Sequence, residues 1–170
     1  MTDYAEYAVK YAQKNGVTEV IARLIQSPDY QVRFSNSNID IAKKWETNLL
    51  EVFIAMGRKT TNVDIQNPTE KTIEEKLKQT IEFAGKLPDS QMYAGMEKEV
   101  KKYQNVDGLY DKKVEDLYET APELVNVAIN SSLEAGAERV AGAMYFGSYK
   151  INVVTGYGFA GFHSISMESP

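Results

Sequence analysis

The chain has 170 residues and a net charge of −5, a length that suits one domain with its own core. Lysine and arginine never form a run longer than two residues, so direct nucleic-acid binding is not expected. No apolar run reaches the about 18 residues of a membrane helix, and the absence of cysteine excludes disulfides and thiol chemistry and favours a cytoplasmic protein.

The first third of the chain predicts a helix and then strands. A helix is expected over 3–15, because Asp3 can cap its first turn and Gly16 can end it. Residues 17–65 alternate apolar and polar side chains, and strands that follow each other so closely must be antiparallel. The sequence SNSN at 35–38 is typical of a hairpin turn. The inner stripe of the helix consists of Ala5, Ala8, Val9 and Ala12.

The rest of the chain predicts two more helices and a second group of strands. Asn67 as N-cap and Pro68 at the first helical position begin a helix over 68–86. Residues 88–117 have no clear period and are interpreted as mostly ordered loop. A helix over 120–135 follows, and strands return afterwards. The inner stripe of the last helix is predicted to be Leu124, Val127, Ala128 and Ser131.

These elements predict an α+β fold. The sheet is expected to come from residues 17–65 and 139–168 and to be mainly antiparallel. The helices are expected on one face of it, which makes a two-layer sandwich.

Residues 156–161 read Gly-Tyr-Gly-Phe-Ala-Gly, a literal G-x-G-x-x-G. Binding of a dinucleotide would require a helix to open at these glycines, with its N-terminus towards the pyrophosphate. The residues that follow, 164–168, alternate with period two and predict a strand instead. The motif is therefore interpreted as a glycine-rich hairpin turn, with dinucleotide binding as a distant alternative.

The sequence offers few residues for nucleophilic or metal chemistry. His163 is the single histidine, in a predicted polar turn before a strand, and without cysteine it cannot complete a Cys-based or two-histidine zinc site. The serines at 131, 132, 148, 164 and 166 have only this histidine as a candidate base. No metal-binding residue is predicted.

Acidic and aromatic residues in the predicted loop are further candidates for chemistry or binding. Asp107, Asp111 and Asp116 could pair for acid–base chemistry, but the interleaved lysines favour a solvated loop. Four tyrosines could form a platform on which a ligand stacks, but packing of the loop onto the domain is the favoured interpretation. These are Tyr93, Tyr103, Tyr110 and Tyr118. No catalytic or cofactor-binding residue is predicted.

The segment MYAGMEKEVKKYQNVDGLYDKKVEDL (92–117) resembles the connecting loop in the N-terminal domain of the TldD/PmbA family, the so-called modulator of DNA gyrase proteins. Residues 8–27 are similar to the family's opening helix and strand, and 32–88 to its meander and following helix. Residues 139–166 resemble its second set of strands. The resemblance spans essentially the whole chain and rests on this ordered set, since no single motif is diagnostic.

The resemblance implies a protein more than twice this length, of which the chain is expected to be a fragment. Catalytic family members are similar to zinc metallopeptidases that use an H-E-x-x-x-H helix. That motif does not occur here, so no catalytic residue is carried over and zinc is expected only in the missing C-terminal part. The resemblance implies a non-catalytic N-terminal domain of a peptide-processing protein. Its expected partners are a peptide substrate and a TldD/PmbA-type subunit in a homo- or heterodimer.

The alternative is a stand-alone interaction or oligomerisation module without a peptidase role. The reading frame beyond residue 170 distinguishes the two hypotheses. The residues do not decide between the zinc-bearing and the inactive-partner subtype. A strand that contains Ile165 and Met167 is expected at a sheet edge, where it could pair with a second copy.

Overall fold

The computed structural model describes residues 3–100, 104 and 106–169. Over these residues the strands form one antiparallel five-stranded sheet in the order β3-β2-β1-β4-β5, with helices packed on it. The predicted α+β class is confirmed. The elements are α1 (Tyr4–Lys14), β1 (Glu19–Ser35), β2 (Asn38–Met56), β3 (Lys59–Gln66), α2 (Glu70–Lys86), α3 (Lys112–Asp116), α4 (Ala121–Glu134), β4 (Gly142–Thr155) and β5 (Ala160–Ser169).

The chain divides into two compact units, and β1, β2, β4 and β5 each contribute residues to both. The first unit comprises Met1–Gln26, Asn48–Asn105 and Lys150–His163. The second comprises Ser27–Thr47, Val106–Tyr149 and Ser164–Pro170. Within the described part of the chain, no helix is both long and apolar enough to cross a membrane.

The core of the first unit lies between α1, α2 and the sheet. Asp3 caps α1 by accepting hydrogen bonds from the backbone of Ala5 and Glu6, as predicted. The predicted α1 stripe is confirmed, because all four of its residues are buried and their small side chains fit closely against the sheet. The strands and α2 supply the larger members of this core, chiefly Val20, Leu50, Val52, Ile54, Ile73 and Leu77.

The second unit has a separate core, formed by α4 against β1 and β4. Val125 and Ile129 of α4 are buried in this core. The rings of Tyr30 and Phe146, which belong to the same core, stack with centroids 5.0 Å apart. The predicted inner stripe of this helix is wrong, since Leu124 and Val127 of that stripe are exposed. The helix carries two apolar stripes one residue apart, about 100° around its axis, and periodicity alone cannot choose between them.

The start of α2 also differs from the prediction. The N-cap is Thr69 rather than Asn67, and Thr69 and Thr72 form a reciprocal capping box. The backbone N–H of Asn67 donates to the carbonyl of Asn48, 2.7 Å away, so the chain still pairs with β2 at this point. Pro68 therefore precedes the cap instead of occupying the first helical position.

The segments 35–38 and 88–117 connect helices and strands. The hairpin turn at 35–38 is confirmed, with positive φ at Asn36 (48°) and Ser37 (61°). Most of the described residues of 88–117 lie outside helices and strands, as predicted, and the exception is α3, whose first turn is capped by the Asp111 side chain. A five-residue helix is too short to give a readable period.

The α4 orientation makes a prediction about two valines of the same helix. Val125→Ala should lower the free energy of unfolding by about 1.5–3 kcal/mol, because its side chain is 3% exposed in the core. Val127→Ala should change it by less than about 0.5 kcal/mol, because Val127 is 62% exposed. Urea unfolding of both variants measures the difference. A larger loss for Val127→Ala would restore the stripe predicted from the sequence.

Candidate functional site

The side chain of Glu19, at the start of β1, accepts hydrogen bonds from three groups. The Tyr93 hydroxyl donates to Oε2 over 2.6 Å, and the Tyr157 hydroxyl donates to Oε1 over 2.8 Å. The backbone N–H of Met96 donates to Oε1 over 3.3 Å. We call these four residues the Glu19 cluster. It joins β1, the segment after α2 and the β4–β5 hairpin within the first unit.

The position of the cluster follows from strand geometry. Val20 is buried in the core with α1 and α2, so the preceding side chain, Glu19, points to the opposite face of the sheet. Phe53 alternates with buried Val52 and Ile54 in the same way, and its ring lies 5.8 Å from that of Tyr93. The segment after α2 therefore covers the sheet face that the helices leave open in this unit.

This segment is held at a second point by Arg58, in the turn between β2 and β3. The guanidinium donates to the carbonyls of Ser90 and Gln91 over 2.9 and 2.7 Å, and the Ser90 N–H donates back to the Arg58 carbonyl over 2.8 Å. Gly95 has a φ of 103°, a conformation that glycine adopts at little cost. The backbone from 90 to 96 is thereby fixed between Arg58 and Glu19.

The electrostatics of the Glu19 cluster favour one protonation state. The hydrogen bond from Tyr93 is the main reason that the pKa of Glu19 lies below its ordinary value, and the Tyr157 hydroxyl, the Met96 N–H and the Lys98 charge lower this pKa further. Burial and the hydrogen bond to Glu19 raise the pKa of Tyr93, and the hydrogen bond to Glu19 also raises the pKa of Tyr157. At neutral pH the carboxylate is charged and both phenols keep their protons. Because three donors already occupy the carboxylate, it is suited to anchoring the chain rather than to accepting a substrate proton.

The glycine-rich motif forms the loop between β4 and β5, so the hairpin interpretation is confirmed. The Gly156 N–H donates to the Val20 carbonyl over 2.8 Å, and the side chain of Gln13 donates to the Gly156 carbonyl over 2.8 Å. A strand follows the glycines where a dinucleotide site needs a helix. The loop presents Tyr157 to Glu19.

The residues considered for metal or nucleophilic chemistry lie apart. His163 is exposed within β5, not in a turn before it. Ser148 is buried and donates to Glu115 of α3 over 2.5 Å, while Ser132 donates to a carbonyl of its own helix. Among the described residues no group of three or more His, Cys, Asp or Glu could hold a metal ion. This donor set does not fit zinc.

The loop residues also have separate environments. Asp107 and Asp116 are exposed, and Asp111 accepts a hydrogen bond from the Lys113 backbone at the start of α3. Tyr118 packs in the second unit, with its ring centroid 4.8 Å from that of Tyr30. Tyr93 packs in the first unit. Tyr103 lies outside the described residues.

Glu19 and Tyr157 are not predicted from the sequence to be members of one cluster. A signal was present at Glu19, an acidic residue beside Val20 in an alternating strand, where it must lie on the face away from the core. No local pattern connects it to Tyr157, which lies 138 residues further along the chain.

Comparisons with known proteins give matches in structure only. No protein-family model matches the chain, and no curated protein matches its sequence. TldE from Thermococcus kodakarensis matches 95% of this chain at 15% identity, with a TM-score of 0.80. A proposed modulator of DNA gyrase from Bacteroides thetaiotaomicron matches 98% at 18% identity, with a TM-score of 0.83. Another from Thermotoga maritima matches 97% at 17% identity, with a TM-score of 0.55.

The chain has the fold of TldD/PmbA proteins. The resemblance seen in the sequence is thus confirmed at the level of the fold. The chain spans 36–40% of the length of these solved proteins and corresponds to their N-terminal part.

The Glu19 cluster makes a prediction about stability and pH. Tyr93→Phe should lower the free energy of unfolding at pH 7 by about 0.5–1.5 kcal/mol, because it removes one hydrogen bond to the carboxylate. A lowered pKa in the folded state stabilises the protein above the unfolded pKa of Glu, about 4.3. That contribution is lost as the pH falls through the folded value. The difference between the variant and the wild type should therefore shrink as the pH falls below about 4.3 and through the lowered pKa of Glu19, as measured by urea unfolding.

Tyr4→Phe is the control, because Tyr4 is a partly buried tyrosine of the first unit and its hydroxyl has no hydrogen-bond partner among the described residues. It should leave the pH profile unchanged. An equal loss at pH 7 and pH 3 for Tyr93→Phe would contradict the role assigned to the Glu19 charge.

Proposed function

We propose that the chain is the non-catalytic N-terminal domain of a TldD/PmbA-type protein that processes peptides. The observation that supports this most directly is the shared fold, with TM-scores of 0.80 and 0.83 over 95% and 98% of the chain. The cysteine-free sequence fits work in the cytoplasm. Peptide hydrolysis and any zinc site belong, in this proposal, to the rest of the protein.

The chemistry of the chain agrees with a supporting role. One histidine and no cysteine cannot supply a zinc ligand set of the usual kind. The Glu19 carboxylate is already engaged by three donors of its own chain. The cluster therefore provides a fixed surface, built from residues 90–96 and the β4–β5 hairpin, against which other parts of a larger protein can pack.

We further propose that the partner is a second TldD/PmbA-type subunit. β5 lies at one end of the strand order, so one side of its backbone has no neighbouring strand in the described sheet. At one point β5 also bonds to a loop, because the Ser166 N–H donates to the Leu109 carbonyl over 2.9 Å and the Asp111 N–H donates to the Ser166 hydroxyl. Met167 of this strand is exposed and Ile165 is half-buried. Such an edge is a template for another strand, and a two-fold contact closes on itself.

The second candidate function is a stand-alone interaction module. The observation that favours it is the exposed apolar surface of α4, with Leu124 and Val127 outside the core. Monomeric proteins seldom leave large apolar patches uncovered. The two candidates predict gene products of different length.

We expect the 170-residue chain to contain no stoichiometric zinc and to cleave no peptides. We expect the full product of its gene to continue beyond this domain. That product should hydrolyse peptides, alone or with a zinc-bearing partner subunit. Elemental analysis and a peptidase assay on both proteins test the proposal.

Two results would contradict it. One zinc ion per 170-residue chain that is lost in His163→Ala would show a metal site inside the domain. A gene product of 170 residues without peptidase activity in any pairing would favour the interaction module.

The edge proposal predicts the behaviour of a double variant. The chain should form dimers in sedimentation velocity, and Ile165→Lys with Met167→Lys should shift it to monomer because the charges are placed on the pairing strand. Leu124→Lys with Val127→Lys is the control, with the same change of two charges on the exposed side of α4. A monomer at all concentrations, or a dimer insensitive to the β5 lysines, would rule out this edge.

A further inference from the structure

The second unit contains an open groove of about 760 Å³ along β1. We call it the β1 groove. Its lining comes from three neighbouring strands, because β1 lies between β2 and β4 in the sheet. The residues that characterise it are Gln31 and Arg33 of β1, Ile41 and Lys43 of β2, and Ala143 and Tyr145 of β4.

The groove follows from the alternation of side chains in two of these strands. Val32 of β1 and Phe146 of β4 are buried in the core with α4, so their neighbours Arg33 and Tyr145 point away from it. Small residues at 141–143 keep the groove open. On the other face of β4 a Cβ at Gly142 would lie 2.7 Å from the ring of Phe34, which packs against the core with α4.

The charge of the groove is opposite to that of the whole chain. Its lining includes two cations, Arg33 and Lys43, and no carboxylate, although the net charge of the protein is −5. Arg33 has one distant contact, 3.8 Å from Asp40, with both side chains partly exposed. The ammonium of Lys43 lies 5.0 Å from the ring centre of Trp45 and pairs with no carboxylate among the described residues.

The neutral part of the groove is both polar and apolar. Gln31, which is nearly buried, donates a hydrogen bond to the Tyr145 hydroxyl and forms a polar floor. Ile41 adds apolar surface beside the cations. A ligand that fits this lining has negative charges and apolar groups at short spacing.

We propose that the β1 groove binds an acidic peptide segment in an extended conformation. The Arg33 guanidinium would take one carboxylate through two hydrogen bonds, and Lys43 would take another as a point charge. Apolar side chains between the acidic ones would contact Ile41 and the Tyr145 ring. The choice of a peptide rests on the proposed function, whereas the preference for carboxylates rests on the groove alone.

Size and charge argue against other ligands. A volume of about 760 Å³ is far more than one inorganic anion needs, and most of the lining residues are exposed, which suits an extended chain better than an enclosed small molecule. A phosphate backbone requires a longer basic stripe than two cations. The acidic peptide is therefore the ligand that the observations favour.

The single tryptophan supplies the measurement, because Trp45 stands next to Lys43 and is 41% exposed. The intact chain is titrated with the peptide acetyl-Glu-Val-Glu-Val-Glu-amide, and the emission of Trp45 is recorded. We expect a saturable change. The matched peptide acetyl-Gln-Val-Gln-Val-Gln-amide should bind about tenfold or more weakly, as expected for the loss of charge-assisted contacts.

Variants locate the binding. Arg33→Gln and Lys43→Gln should each weaken binding of the acidic peptide about tenfold, whereas Lys71→Gln should not. Lys71 is an equally charged, exposed residue of α2 in the first unit. Ala143→Leu should also weaken binding, because it fills the groove without a change of charge. Circular dichroism checks that each variant is folded.

Three results would overturn the proposal. These are equal binding of the neutral peptide, unchanged binding in Arg33→Gln and Ala143→Leu, or tighter binding of a single-stranded oligonucleotide than of the acidic peptide. The test is separate from that of the proposed function. Acidic-peptide binding in the groove would stand even if the gene product lacked peptidase activity, and active enzyme with an inert groove would refute only this inference.

Discussion

The alternation of side chains along β1 is the constraint on which the rest of the structure depends. In the first unit Val20 and Ala22 lie in the core, and in the second unit Val32 does. Because successive side chains of a strand point to opposite faces, the immediate neighbours of these core residues lie on the other face of the sheet. Glu19 and Arg33 occupy such positions. Glu19 is the centre of the Glu19 cluster, and Arg33 lines the β1 groove.

The two features use charge in opposite ways. Glu19 is satisfied by donors from its own chain, and its lowered pKa reflects that satisfaction. A charge that is already paired stabilises a fixed arrangement of the backbone. Arg33 and Lys43 are only loosely engaged within the described structure, so their charges remain able to attract a ligand. The Glu19 cluster therefore has a structural role, whereas the β1 groove is suited to binding a ligand.

The structural match concerns the backbone of the chain. Identities of 15–18% with TM-scores up to 0.83 relate the backbone of this chain to TldD/PmbA proteins. Different hydrophobic side chains can fill the same core when volume and pattern are kept, so a shared backbone does not transfer a function. Function depends on surface side chains, such as those of the β1 groove.

The sequence by itself determined the features that depend on neighbours along the chain. The cap and buried stripe of α1, the turn at 36–37 and the glycine-rich hairpin at 156–161 follow from local conformational preferences and short periods. The antiparallel orientation of β1, β2 and β3 followed from the short connections between them. Where two local solutions were equally good, as for the two apolar stripes of α4, the sequence could not choose between them.

Only the tertiary structure decided that choice and the two sites. The buried stripe of α4 was selected by contact with Tyr30, Val32 and Phe146, which lie on other elements. The Glu19 cluster joins residues separated by 74 and 138 positions, and the β1 groove combines three strands. Contacts of this range arise when strands pair and cores pack, because the free energy that holds them comes from burial across elements rather than from any local pattern.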